Sequence, residues 1–166
     1  MPATASRRRL ELNERVLGER FTTEGVKHED PAKTLNVDFF DNTAAIVNPE
    51  MSQIFTESLK DIFVQQTSLR LVEGPADMEF SGAITDYSLR PQAARGPSEV
   101  SQMRFSISVK VSFENRIADE NSFEQRFSRS RDYDADLNFS DIETELAAEI
   151  MKELTEDILN RAIANW

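Results

Sequence analysis

This 166-residue chain predicts an α+β fold, two amphipathic helices packed on one face of a mixed, mostly antiparallel sheet of about four strands. Three stretches carry that expectation. Met103, Phe105, Ile107, Val109, Val111 and Phe113 alternate with Arg104, Ser106, Ser108, Lys110 and Ser112. Strict period two over that length means a strand with one apolar and one polar face. Met51, Ile54, Phe55, Leu59, Ile62 and Phe63 follow at helical steps, and so do Ile142, Leu146, Ile150, Leu154, Ile158, Leu159 and Ile163. Each set is a one-sided stripe that must be buried, and the apolar face of the sheet is the surface that can receive both.

In order, residues 1–32 hold Arg7-Arg8-Arg9, Gly25 and Pro31 and only a thin apolar stripe, so they read as a mobile N-terminal arm. A single domain follows over 33–166. Thr34 to Phe40 reads as a half-buried strand with Leu35, Val37 and Phe39 on one face, and Asp41-Asn42-Thr43 breaks it. Asn48 is a good N-cap, and Pro49 suits the first helical position because its missing N–H has no helical acceptor there. Leu69 to Val72 re-extends, and Glu73 to Asp77 is turn chemistry. Met78 to Leu89 reads as a strand with Phe80 and Ile84 on one face and Ala83, Thr85 and Tyr87 on the other. Gly82 within it marks a bulge or a close backbone approach.

Residues 90–101 contain two prolines and a glycine and read as a long loop. The alternating strand then pairs as a hairpin with Phe123 to Arg131, Phe123 and Phe127 inward and Glu124, Arg126 and Ser128 outward. Ser140 and Glu143 have capping-box spacing ahead of the last helix, whose Glu145, Glu149, Glu153 and Glu156 read as a solvated side.

Several chemistries are excluded. There is no cysteine, so no disulfide, thiolate metal site or cysteine nucleophile. The one histidine, His28, has no second imidazole beside it for a metal site and no fitting triad context. Asp132, Asp134 and Asp136 have calcium-loop spacing, but Leu137 stands where the loop needs glycine. No phosphate loop or nucleophile elbow is present. The expectation is a non-enzymatic binding or assembly module with no cofactor and no metal. No apolar run approaches the roughly 20 residues of a membrane helix, and the start lacks the apolar region of a secretory leader.

The net charge of −11 argues against nucleic-acid binding. It is unevenly placed: residues 90–131 hold 8 basic and 5 acidic side chains, the net-basic core segment of an acidic protein. Arg90 and Arg95 fall in or beside the long loop; Arg104, Lys110 and Arg126 fall on the polar strand face. Arginine suits phosphate because its planar fork donates two parallel hydrogen bonds. These five residues are the candidate site for an anionic ligand.

Residues 46–72 (IVNPEMSQIFTESLKDIFVQQTSLRLV) and 123–166 (FEQRFSRSRDYDADLNFSDIETELAAEIMKELTEDILNRAIANW) resemble the LptE-like family of lipopolysaccharide-assembly outer-membrane lipoproteins. The resemblance rests on the Asn-Pro helix start, the Phe-x-x-x-Phe strand into an acidic linker, and the helix ending Asn-Trp, and it covers 33–166. It implies a two-helix, mixed-sheet sandwich at the periplasmic side of the outer membrane. It further implies a plug and assembly factor for a β-barrel translocon protein that also contacts lipopolysaccharide. The five cations, chosen by charge and strand parity and not by matched family residues, are then expected to meet lipopolysaccharide. Family members carry a leader and a lipidated cysteine that this sequence does not contain, so membrane association is expected through the partner or through a lipid anchor absent here. The alternative is a free periplasmic amphiphile carrier, which needs a cavity of roughly 300 Å³ or more beneath the helices.

Overall fold

The computed structural model describes residues 31–164 except 47, 94–95 and 97–100. All but the last two residues of the expected arm therefore lie outside the described residues, as do Arg95 and Trp166. The elements run β1 (Thr34–Val37), β2 (Asp41–Asn42), α1 (Pro49–Gln66), β3 (Arg70–Leu71), β4 (Met78–Gln92), β5 (Gln102–Asn115), β6 (Phe123–Asp134) and α2 (Phe139–Ile163). The α+β class is as expected. The sheet has six strands instead of about four, because two of them are only two residues long.

The strand order is β3-β1-β4-β5-β6, with β2 also on β4. The short pairings of β1 with β3, β1 with β4 and β2 with β4 are parallel. The long ones, β4 with β5 and β5 with β6, are antiparallel. β1, α1 and β3 form a β-α-β unit, and the rest is a meander. Asp77 fastens the two together. Its carboxylate accepts from the Lys33 and Thr34 amides at 2.8 and 3.0 Å, and its own amide donates to Thr34 Oγ1. The Lys33 amide in particular holds this carboxyl below the usual carboxylate range.

Both helices cover the same sheet face. Phe105, Ile107, Val109 and Val111 are fully buried there, and Ile54 and Leu146 pack against that core. Phe40, Phe55, Phe63, Phe80, Phe105 and Phe113 fill the layer, with neighbouring rings such as Phe80 and Phe113 stacked 4.5 Å apart.

Four local readings change. First, Phe39 is exposed and Phe40 is buried. The strand is interrupted after Val37: the Asp38 amide bonds to Phe80 O, and pairing resumes at Asp41. Parity shifts across the break. Second, Ser52 and Thr56 of α1 are buried, on a stripe wider than the apolar positions alone. Thr56 Oγ1 donates to Ser52 O at 2.8 Å and accepts the Phe40 amide at 3.1 Å, so the hydroxyl satisfies a buried N–H that the strand break leaves without a ladder partner. We predict that Thr56→Val, which keeps the shape and orphans that amide, costs about 1–3 kcal/mol in a denaturant titration. Thr56→Ser, which keeps both bonds, loses clearly less.

Third, β4 carries a bulge between Ile84 and Asp86. The extra residue, Thr85, turns Tyr87 into the core beside Ile84 instead of away from it. β4 also continues through Arg90 and Pro91 to Gln92, so the loop begins only at residue 93. Fourth, α2 is capped by Asn138, whose side chain accepts the Ser140 amide, and not by a Ser140–Glu143 box. Glu143 instead takes the Tyr87 hydroxyl and, at 3.4 Å, Asn48 Nδ2. Asn48 caps α1 through its own Oδ1. One carboxylate thus joins the starts of both helices to β4. Burial, and then the Glu143 bond, push the Tyr87 hydroxyl well above its ordinary range.

The acidic side of α2 is not simply solvated. Arg129 of β6 grips Asp157 with two bonds at 2.6 and 2.7 Å. Arg131 reaches Glu149 at 3.0 Å and Glu153. Arg161 Nε donates to Gln125, and its guanidinium lies 4.7 Å over the Phe123 ring. These contacts lace α2 along β6.

Candidate functional site

The sheet face away from the helices is polar across β4, β5 and β6. Period two places Arg104, Ser106, Ser108, Lys110 and Ser112 of β5 there, flanked by Ser88 and Arg90 of β4 and by Glu124, Arg126, Ser128, Ser130 and Asp132 of β6. Serines dominate its middle. Ser108 is buried by its neighbours and donates to Ser128 Oγ at 2.9 Å. The hydroxyls make this face smooth and wettable, with no large apolar side chain in the β5 row.

The register brings the predicted cations together in pairs. Arg90 lies directly opposite Arg104, and Lys110 directly opposite Arg126. Like charges directly opposite destabilise a strand pair by up to about 1 kcal/mol. Among the described residues each pair has one carboxylate bonded to it. Asp132 takes Arg104 in a two-bond fork at 2.7 and 2.8 Å, and Glu124 takes Lys110 at 2.7 Å. The Asp132 bond raises the Arg104 guanidinium, and the Arg104 bond holds the Asp132 carboxyl below its usual range. Arg104 and Lys110 are therefore each held by an acidic partner. Among the described residues, two cations against one carboxylate leave an excess of positive charge at each pair. Arg104 and Lys110 stand six positions apart on β5, roughly 20 Å along the strand.

A groove of about 380 Å³ opens beside the second pair, lined by Thr85, Lys110, Glu124, Gln125 and Arg126. It lies on the polar side and not beneath the helices. Thr85 and Gln125 are additions to the sequence-based set. Thr85 reaches the groove from the outer face of β4, where alternation with the inward Ile84 already places it; the bulge changes parity only beyond it. Among the five candidates, Arg104, Lys110 and Arg126 share this face with Arg90 at its loop end, while Arg95 lies outside the described residues. Among the described residues no cluster of carboxylates and histidine is arranged to hold a metal ion.

Comparison with known proteins bears on the whole domain. No curated protein matches the chain. A minor lipoprotein from Acinetobacter baumannii superposes with a TM-score of 0.54 at 16% identity, over 80% of this chain and 94% of that one. The rare lipoprotein B from Shewanella oneidensis gives a TM-score of 0.45 at 12% identity, over 80% of this chain and 92% of that one. At such identities the first likeness speaks for the fold alone. The lipopolysaccharide-assembly family model, LptE, matches residues 32–162, most of the chain. The chain belongs to the LptE family of lipopolysaccharide-assembly proteins.

Proposed function

We propose that this domain is a non-catalytic plug and assembly factor of the outer-membrane lipopolysaccharide translocon, seated on the periplasmic side against a β-barrel partner. The observation that carries the reading is the division of the sheet. One face is wholly committed to two helices and a filled aromatic core. The other is a serine-rich polar surface suited to a wet, polar cavity. A filled helix layer is what a plug needs, whereas an amphiphile carrier needs space there. Co-purification of a barrel protein with the chain expressed in an outer-membrane envelope tests the assignment. Recovery of the domain alone from detergent-solubilised membranes, at stoichiometric expression, counts against it.

The finer reading is that the two cation pairs on the polar face, Arg90 with Arg104 and Lys110 with Arg126, together with Arg95, meet lipopolysaccharide phosphates. The excess positive charge at each pair supports it, because an incoming phosphate relieves the cross-strand repulsion. These cations are exposed, so binding falls as salt screens them. The Arg104→Glu and Lys110→Glu double variant is expected to bind lipopolysaccharide about tenfold or more weakly at low salt, two exposed contacts at up to about 1 kcal/mol each. Both changes are on exposed side chains, so the melting transition serves as the folding control. Equal binding by parent and variant at either salt removes the basic face from the ligand site.

A further inference from the structure

The sheet has three kinds of open edge, and two of them are blunted. β3 is only two residues long. Beyond Ile84, β4 has no neighbour on its outer side among the described residues, but it carries the bulge at Thr85 and a proline at position 91. β6 differs: twelve residues, regularly paired with β5 and without bulge, glycine or proline. Such an edge is a template for another strand.

The direction of its free groups follows from one bond. The Ala135 amide donates to Ser101 O, directly opposite it in the β5–β6 register. Hydrogen-bonded pairs alternate in an antiparallel ladder. Odd-numbered residues of β6 therefore bond to β5, and Arg126, Ser128, Ser130, Asp132 and Asp134 present their N–H and C=O groups outward. Two of those carbonyls already accept one bond each, Ser130 O from Arg131 Nη1 and Asp134 O from the Leu137 amide. Each retains a second lone pair.

The sequence along this edge complements itself when reversed about Ser130. Arg126 meets Asp134, Phe127 meets Tyr133, Ser128 meets Asp132, and Arg129 meets Arg131. The first pair is of opposite charge, the second aromatic, the third a hydroxyl with a carboxylate. The single repulsive match is neutralised within each copy, because Arg129 is held by Asp157 and Arg131 by Glu149 and Glu153. Among the described residues Arg126 makes no ion pair and Asp134 makes none. Charged side chains on an edge ordinarily discourage pairing; here they select one register and one partner.

We infer that β6 is a self-association edge, pairing antiparallel with β6 of a second copy of this chain about a two-fold axis at Ser130. The axis stands perpendicular to the sheet, so the two sheets become one and both polar faces stay on the same side. The interface shares Arg126 with the ligand reading above, but it is argued from the edge and its self-complementary sequence and stands without that reading.

The test is sedimentation of the full chain over a range of concentrations, with three variants. The parent is expected to dimerise with concentration. Arg126→Asp sets a carboxylate against Asp134 at both ends of the interface, and Asp134→Arg sets a cation against Arg126 at both. Each is expected to dimerise about tenfold or more weakly. An equimolar mixture of the two restores opposite charge at both positions and is expected to recover a heterodimer. Ser130→Pro removes an outward N–H without touching a β5 bond and is expected to be monomeric with an unchanged melt. A parent that stays monomeric at all concentrations, or charge variants that dimerise as the parent does, or a mixture that shows no rescue, overturns the inference.

Discussion

Phe105→Ala is expected to cost about 3–5 kcal/mol, the range for truncating a fully buried phenylalanine. The ring has no exposed surface and sits near the start of β5, where β4, β5 and the start of α2 meet. It meets Tyr87 edge-on at 4.9 Å and Phe139 edge-on at 5.0 Å. Edge-to-face pairs of this kind contribute about 0.5–1.5 kcal/mol each beyond area burial. Removing the ring also leaves a void beside Tyr87, whose hydroxyl is tied to Glu143 and through it to the cap of α1. A cavity there loosens the start of both helices together. The loss compares with a total stability of about 5–15 kcal/mol for a domain of ordinary size, so the guanidinium midpoint should move far while the slope stays near the parent value. Ser106→Ala, one residue along on the opposite face, is the parity control and is expected within about 0.5 kcal/mol of the parent. A Phe105→Ala loss below about 1 kcal/mol means β5 does not face the core as described.

What could be read from the sequence depended on uninterrupted periodicity. β5 has no bulge, so every inward residue from Phe105 to Phe113 was legible from alternation alone. The helix at Pro49 was legible from its cap and first-turn chemistry, and Asn48 is indeed the cap. β1 and β4 failed where the backbone slips by one residue. After Val37 and at Thr85 an extra residue reverses parity, so Phe40 and Tyr87 turn inward although the alternation upstream of each slip, carried forward, points them outward. A bulge leaves little compositional trace, since Thr85 is itself a good strand residue.

Glu143 shows a different limit. Its spacing from Ser140 satisfied a local rule, but Tyr87, 56 residues away in sequence, offers a buried hydroxyl that competes for the same carboxylate. Only the assembled fold reveals that competitor. The candidate site was half legible: strand parity placed Arg104, Lys110 and Arg126 on one face, but their partners depend on register. Once the hairpin is closed at Phe113 opposite Phe123, Lys110 must face Arg126 and Arg104 must face Asp132. A turn-length argument from the hairpin could have supplied that. No argument from parity alone could.

Gly82→Ala is expected to cost about 3–5 kcal/mol, more than ordinary overpacking, because the obstacle is backbone. A methyl carbon placed on Gly82 would stand 2.0 Å from the Lys110 carbonyl oxygen and 2.7 Å from Cε1 of Phe40. A side chain can rotate away, but the Lys110 carbonyl belongs to the β4–β5 ladder, where Gly82 faces Val111 and Ala83 faces Lys110. Relief requires the two longest strands to separate locally. That would also disturb the cation pair formed by Lys110 and Arg126 on the other side of the sheet. The two obstacles can be told apart with Phe40→Leu. If the ring were the main hindrance, Gly82→Ala in the Phe40→Leu background would cost little. Because the carbonyl is the closer atom, most of the cost is expected to persist in the double variant, measured by a double-mutant cycle in guanidinium. A Gly82→Ala protein within about 0.5 kcal/mol of the parent would show that β4 and β5 do not approach so closely at this point.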